Sequence, residues 1–518
     1  MKNIFCFLTL LFSLCANAQI TERTLPAEWK NLIDGGRFKD RFLPMPDGKS
    51  GENVWGTDSV RLRYVDNGIE NPELSFWGGN ILKGKDNKYH LFVCGWPENS
   101  PKGHMTWPKS TVFHTTSDCL SGPYIICDTI GKGHNPEAFI LKDGRPVVYV
   151  IDGYYIADSL NGPWTYSHFT FDKRNRKIIE GLSNLTFAKR SDGSYLMVCR
   201  GGGVWISENG ISPYQQVSDR SVYPDVNGEF EDPVIWKDSL QYHLIVNDWL
   251  GKAYTPGIAA HKDGYKENWF KYERMKVFQD EYGRPIQANF AVIDTIKWED
   301  HPNDRHSSKN ICIPLNKGLR LSVLNEDTIT AQTKEIKVLV KAEEGVDFKD
   351  FDMKSLRFGS SSDVNYGKGC KAVKRIALGK DLIIVFDGRN NTIRKDEFAP
   401  KLLGKTKKGD LLYGYARLPY VNYHPACLSA AYPMTYDKQL ELEVKNFGLS
   451  TSEETDLTVL VNGVKLAEGQ VKVLSPYESV KLSLPCINAA KIDNQTLFTI
   501  VYSQHGKEIR KETIQNFD

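Results

Sequence analysis

Net charge and long apolar runs are both scarce in this sequence. Lys and Arg number 66 against 64 for Asp and Glu, leaving +2 over 518 residues. A dedicated nucleic-acid binder carries a basic excess, so that class is excluded. Beyond the N-terminus no stretch approaches the about 20 consecutive apolar residues of a membrane-spanning helix, and no transmembrane segment is expected. Sustained helical periodicity is also missing. No GxGxxG follows a strand in a βαβ unit, which argues against a nucleotide cofactor. No Cys pair has CxxC spacing and no His pair has HxH or HxxxH spacing, so no metal site is expected. No cofactor is called for, and nothing in the sequence supports a structural calcium ion.

What is present is aromatic and turn-rich: Gly 42, Tyr 24, Phe 24 and Trp 11, with 41% hydrophobic residues. That balance suits a folded β protein, and aromatic faces suit sugar rings. Lys2, an apolar run over 4–14 and Ala16-Asn17-Ala18 read as a cleaved signal peptide over 1–18. The protein is therefore expected to be secreted or periplasmic. Leu14 before Cys15 is bulky where lipoprotein processing wants a small residue. Eight cysteines follow the signal. Cys119 and Cys127 are close enough in sequence to bridge or to stay as packed thiols.

A repeated plan emerges after an N-terminal extension over 19–59. Five segments each show a polar entry, an apolar strand, a turn and a second aromatic-rich strand, with entries near Gly78, His134, Ser183, Glu231 and Glu273. The intervals are 56, 49, 48 and 42 residues, room for about four strands each, the content of one propeller blade. The first three units echo one another in HTTSDCLSGPY, YIADSLNGPW and WISENGISPY. The expected fold is all-β: a five-bladed β-propeller over 60–320, a β-rich module over 330–432 and an immunoglobulin-like sandwich over 436–518.

SFWGGNILKGKDNKYHLFV, HNPEAFILKDGRPVVYV and FEDPVIWKDSLQYHLIVND, with the SGPY and NGPW turns, carry a resemblance. About half the chain resembles the five-bladed propeller glycoside hydrolases, the group around families 43, 32, 62, 68, 117 and 130. The resemblance implies a funnel at one end of the axis, lined by carboxylates from the inner strands. Glycosidic cleavage needs two carboxyl groups, ~5–5.5 Å apart for retention or ~6.5–9.5 Å for inversion. The blade entries offer Asp232, Glu137 and Glu73 as the catalytic candidates, with Glu231, Glu273 and Glu180 nearby. The sequence departs from the family 43 pattern where Asn71-Pro72-Glu73 and Asn135-Pro136-Glu137 stand in place of Asp entries.

The substrate-binding candidates are Trp77, His134, Asn135, Arg200, Glu273 and Arg274. Trp77 beside Gly78-Gly79 is a candidate stacking platform. His134 is a candidate to bond a sugar hydroxyl or to act as an acid, since a histidine's unperturbed pKa is about 6.5. Arg200 and Arg274 are candidate forks for an acidic sugar. His114 and His243 lie on strands, and the 301–306 run with two His is a candidate lid. The leading expectation is a secreted, exo-acting glycoside hydrolase whose partner is an oligo- or polysaccharide. A propeller-type lyase on uronate glycans and a non-catalytic glycan-binding protein are the alternatives. Linkage and oligomeric state are not legible.

Overall fold

A computed structural model describes residues 27–46 and 65–515, apart from 179–181, 212, 219, 224–229, 249–258, 265, 268, 270, 294–307, 390, 489–491 and 494. The signal segment, Glu180 and the 301–306 run lie outside the described residues.

The chain is all-β, and its N-terminal part is a set of successive antiparallel sheets. The first strands of these sheets are β1 (Leu74–Lys83), β2 (Glu137–Ile140), β3 (Thr186–Lys189), β4 (Phe230–Lys237) and β5 (Lys271–Gln279). β1 and β2 each open a four-stranded sheet running in sequence order. β3 opens a sheet of four, extended in parallel by Phe171–Asp172. β4 pairs with Tyr242–Asp248, and Ala259–Ala260 pairs with Lys266–Glu267. β5 pairs with Pro285–Ile293, which pairs with Ser308–Pro314.

Contacts between first strands draw the sheets round a common axis. The Asn80 amide donates to the carbonyl of Ala138 at 2.8 Å, and its Oδ1 accepts from the Ala138 N–H at 2.6 Å, joining β1 to β2. The Ile235 N–H donates to Thr186 Oγ1 at 3.2 Å, joining β4 to β3. β5 packs against both β4 and β1. The segment ahead of β1 closes the ring on the last sheet. Ile69 bridges Asn310, and the Asn67 side chain exchanges two hydrogen bonds with the Cys312 backbone at 2.8 and 2.9 Å. This arrangement is a β-propeller. Strands near its axis are covered on both faces, which is why β1 is apolar along most of its length instead of alternating. Aromatic rings fill the gaps between sheets; Tyr149 and Phe187 stack at 3.9 Å between the second and third.

Two further β units follow. Seven strands between Leu321 and Arg417 form a closed barrel around Ile336, Val338, Phe358, Ile384 and Phe386. It begins ahead of residue 330, where the sequence reading placed its β-rich module. From Leu428 to Ile514 two four-stranded sheets pack around one apolar core. This unit is tied to the propeller by a charged contact. The Arg176 guanidinium lies 3.3 Å from Glu512 Oε2, and Arg174 donates to the Ser429 carbonyl at 2.8 Å. All eight described cysteines are free thiols, so Cys119 and Cys127 do not bridge.

One buried polar cluster outside the axis gives a pH prediction. His90 and His114 stack at 5.1 Å and share a 2.8 Å hydrogen bond, and His90 Nε2 lies 3.1 Å from Asp86 Oδ1. Burial, then the charge of His90, pushes His114 down to about 4, against weaker pulls upward from Asp128 and Asp86. The unfolded chain takes up a proton near the ordinary histidine value of 6.5, and the folded chain only near 4. Stability from neutral His114 is thus complete above pH 6.5 and lost as pH falls towards 4. The urea midpoint is expected to drop across that window. His114→Gln should flatten the drop, and an unchanged slope would refute the assignment.

Candidate active site

One backbone feature recurs within or just ahead of every first strand. Gly78, Asn135, Asn184, Asp232 and Arg274 all adopt left-handed conformations, with φ of 63, 56, 50, 51 and 52°. Gly, Asn and Asp enter this region readily; Arg does so at a cost. In β1, β4 and β5 the pairing register shifts at this point, the mark of a bulge. A Cβ built on Gly78 would lie 3.6 Å from Asn135 Cα and 3.9 Å from Arg274 Cβ, so these residues neighbour one another across the sheets. The repeat seen in sequence is therefore a ring of equivalent backbone positions around the axis.

Asn135, Asn184, Asp232 and Arg274 of this ring, and the residue just before each of its five positions, line a cavity of about 860 Å³. Trp77, His134, Asn135, Arg200, Asp232, Glu273 and Arg274 all line it, as do Ser183, Asn184 and Glu231. Two catalytic candidates do not. Glu73 is exposed and absent from the lining; its N–H donates to Asn71 Oδ1 at 2.8 Å in a turn ahead of β1. The position matching Asn135 and Asp232 in the first sheet is Gly78, not Asn71. Glu137 sits two residues beyond Asn135, buried below the cavity against Lys276, where it lines a separate space of about 190 Å³.

Within the cavity the polar groups form a network. Arg274 Nε lies 3.1 Å from Asp232 Oδ1, with both side chains buried. Arg274 Nη2 also donates to Asn184 Oδ1, whose Nδ2 donates to Glu231 Oε1 at 3.1 Å. Asn135 Nδ2 is 3.5 Å from Asn184 Oδ1, and Asn135 Oδ1 is buried with no hydrogen-bond partner among the described residues. This acceptor lies beside the cavity, where it can receive a hydrogen-bond donor. Glu273 accepts from Lys271 Nζ at 2.7 Å. The Arg274 guanidinium thus gives the buried Asp232 carboxylate a counter-charge.

Beneath this ring lies a second layer made by Asn80, Glu137, Thr186 and Lys276. Lys276 Nζ donates to Glu137 Oε2 and, at 3.1 Å, to Thr186 Oγ1. Burial pushes Glu137 up and Lys276 down, each opposed by its partner. This layer forms a floor one step further along the strands.

His134 is held by a short relay. Its Nδ1 lies 2.9 Å from Ser110 Oγ and 3.4 Å from Cys94 Sγ. The Ser110 hydroxyl donates to the Trp107 carbonyl, and the Cys94 thiol donates to the Trp77 carbonyl at 3.0 Å. With the hydrogens placed on those carbonyls, both atoms accept from Nδ1–H, and Nε2 is the basic nitrogen of the neutral ring.

Trp77 differs from a bare platform. It is 2% exposed, with His104 edge-on at 4.5 Å. The half-buried aromatic wall is Trp107, 4.8 Å from His134, on the short helix Gly103–Lys109. Nothing in the repeat pattern marks this helix, because it lies between the second and third strands of the first sheet. Tyr155, Tyr166 and Asp152 complete the lining from the second sheet. His243 is engaged by Asp238 at 2.8 Å, outside the cavity lining. Among the described residues no group of three or more His, Cys, Asp or Glu is arranged to hold a metal ion. No described helix is long and apolar enough to cross a membrane.

No protein-family profile matches the chain, and no curated protein sequence matches it. Among solved structures it is similar to an α-L-arabinofuranosidase from Lactobacillus brevis, at 11% identity over 48% of this chain and 92% of that one, TM-score 0.31. It is similar to an endo-arabinase from Bacteroides thetaiotaomicron, at 13% identity over 48% and 97%, TM-score 0.27. An endo-1,5-α-L-arabinanase from Thermotoga petrophila shows 11% identity over 92% and 99%, TM-score 0.27.

Proposed function

We propose that this chain is a secreted glycoside hydrolase whose active site is the cavity at the head of a five-bladed propeller. In this reading the short Ala259–Ala260 and Lys266–Glu267 pair is the outer half of the fourth blade. The observation that carries the proposal is the buried Asp232–Arg274 pair set in a cavity with a half-buried Trp wall and an open acceptor at Asn135. Asp232, with Arg274 as its counter-charge, serves as base or nucleophile. Glu231, bonded by a neutral amide, serves as the acid on the leaving oxygen. Asn135 Oδ1 accepts from a sugar hydroxyl, and Trp107 covers an apolar sugar face. The floor of Glu137, Lys276 and Thr186 supports exo action, because a closed end takes a chain terminus. Glu137 acts through Lys276 as a positioning group, and Glu73 has no role.

The test is reducing-end release from plant, algal and host glycans, arabinan among them, with ultraviolet absorbance followed in parallel. New reducing ends without absorbance support hydrolysis, and binding without product defeats the enzyme reading. One observation favours a second reading: Nε2 of His134 supplies a proton acceptor, which β-elimination on a uronate needs. Product with unsaturated absorbance would establish that lyase.

The Ser110 relay has its own expected result. Under the lyase reading, Ser110→Ala should lower turnover about fivefold, the worth of one hydrogen bond of about 1 kcal/mol. It should also move the histidine limb of the pH–rate profile, which a purely structural loss would leave in place. An unmoved limb would remove His134 from the chemistry.

A further inference from the structure

A second cavity, of about 270 Å³, lies between the propeller and the barrel. Its charged lining is strongly one-sided: Arg41, Arg284, Lys317, Arg320, Lys341 and Arg417 against Asp238. Part of that charge is already matched. Arg284 pairs with Asp280 and Glu343 at 2.7 Å each, and Arg320 shares Glu343 at 3.2 Å. Lys341 pairs with Asp381 at 2.9 Å, and Asp238 is engaged by His243 at 2.8 Å. Arg41, Lys317 and Arg417 have no carboxylate partner among the described residues.

Arg41 is the telling member. It is 8% exposed, and its Nε is buried with no hydrogen-bond partner among the described residues. Its guanidinium lies over the rings of Phe38 and Tyr413, at 4.9 and 4.5 Å, which fix its plane. A buried guanidinium without a counter-charge is unfavourable by itself, and an oxoanion suits its forked donors. The positive potential is felt nearby: burial and then Arg41 push the Lys401 ammonium down to about 8, with Asp40 opposing. Tyr282, with the Arg320 guanidinium 3.8 Å over one side of its ring, and Tyr415 add aromatic rings to the lining, and the space suits a group of sugar size.

We propose that this inter-domain cavity is an oxoanion site that takes an acidic sugar, separate from the candidate active site. Arg41 reads the carboxylate or sulfate, Lys317 and Arg417 add charge at the mouth, and the tyrosine rings cover the sugar. Arg41 comes from the N-terminal segment, Tyr282 from the turn after β5 and Tyr415 from the barrel, so the ligand would tie three parts of the chain together.

The test is calorimetric titration of the full chain with glucuronate, galactose 6-sulfate and neutral glucose at constant ionic strength. At least one acidic sugar is expected to bind saturably and raise the melting temperature, while glucose does neither. The better acidic ligand tells a carboxylate source from a sulfate source. Arg41→Gln should weaken binding by about tenfold or more, the loss of one charge-assisted hydrogen bond. Asp232→Asn should leave it unchanged. If Arg41→Gln does not fold, Lys317→Gln with Arg417→Gln, at less buried positions, should weaken binding in its place. No saturable binding, equal binding of glucose, or indifference to these variants overturns the proposal.

Discussion

Asp232→Asn is expected to cut turnover on the cleaved glycan by roughly 10²–10⁴-fold while leaving the chain folded. The carboxylate is buried, 3.1 Å from Arg274 Nε, and lines the cavity beside Asn135 and Glu231. Asparagine keeps the shape and accepts left-handed backbone as aspartate does, so the ring at φ 51° is preserved. Arg274 keeps its bond to Asn184. What disappears is the negative charge, and with it the base. Glu73→Gln is the matched control: an exposed residue outside the cavity should leave the rate unchanged. Comparing initial rates of reducing-end release decides the matter. A rate within about twofold of wild type for Asp232→Asn, when losses of at least 10² are expected of a missing base, would move the chemistry to other residues.

Lys276→Met is expected to destabilise the propeller by about 3–5 kcal/mol, because it leaves the Glu137 carboxylate in a buried layer without its ion-pair partner. Removing both charges, in Lys276→Met with Glu137→Gln, should restore much of that loss, since an uncharged pair carries a smaller desolvation cost. The single variant should also recover as the pH is lowered. Burial already raises the Glu137 pKa, and without Lys276 it rises further, so a proton taken up on acidification neutralises the stranded group. Guanidinium unfolding followed by tryptophan fluorescence at two pH values reads all three effects. Equal losses in the single and double variants would show that the pair is not coupled.

Much of the fold is legible along the chain because strand patterning is local. The entries at Gly78, His134, Ser183, Glu231 and Glu273 sit at or one residue before the left-handed ring, since the turn and the apolar run after it are written in adjacent residues. The third-strand echoes fall on Thr111–Ser117, Gly153–Ile156 and Val204–Ser207. Cavity residues Asp232, His134, Asn135 and Arg274 were legible for the same reason. Glu73 was misplaced because Asn71-Pro72-Glu73 imitates Asn135-Pro136-Glu137, while in space Gly78 occupies that position. Glu137 stands at the strand start that the sequence marks, but two places past the ring it belongs to the floor beneath the cavity and not to its lining.

By itself, then, the sequence determined the all-β class, the repeat and most of the residues that ring the axis. Only the tertiary structure decided which of them meet. Arg274 reaches Asp232, Lys276 reaches Glu137, and Arg41 faces a barrel that begins hundreds of residues later. Such pairings arise when the last sheet comes round to the first and the barrel docks on its flank. Their energies depend on burial and on distances across the axis, quantities that no spacing along the chain encodes.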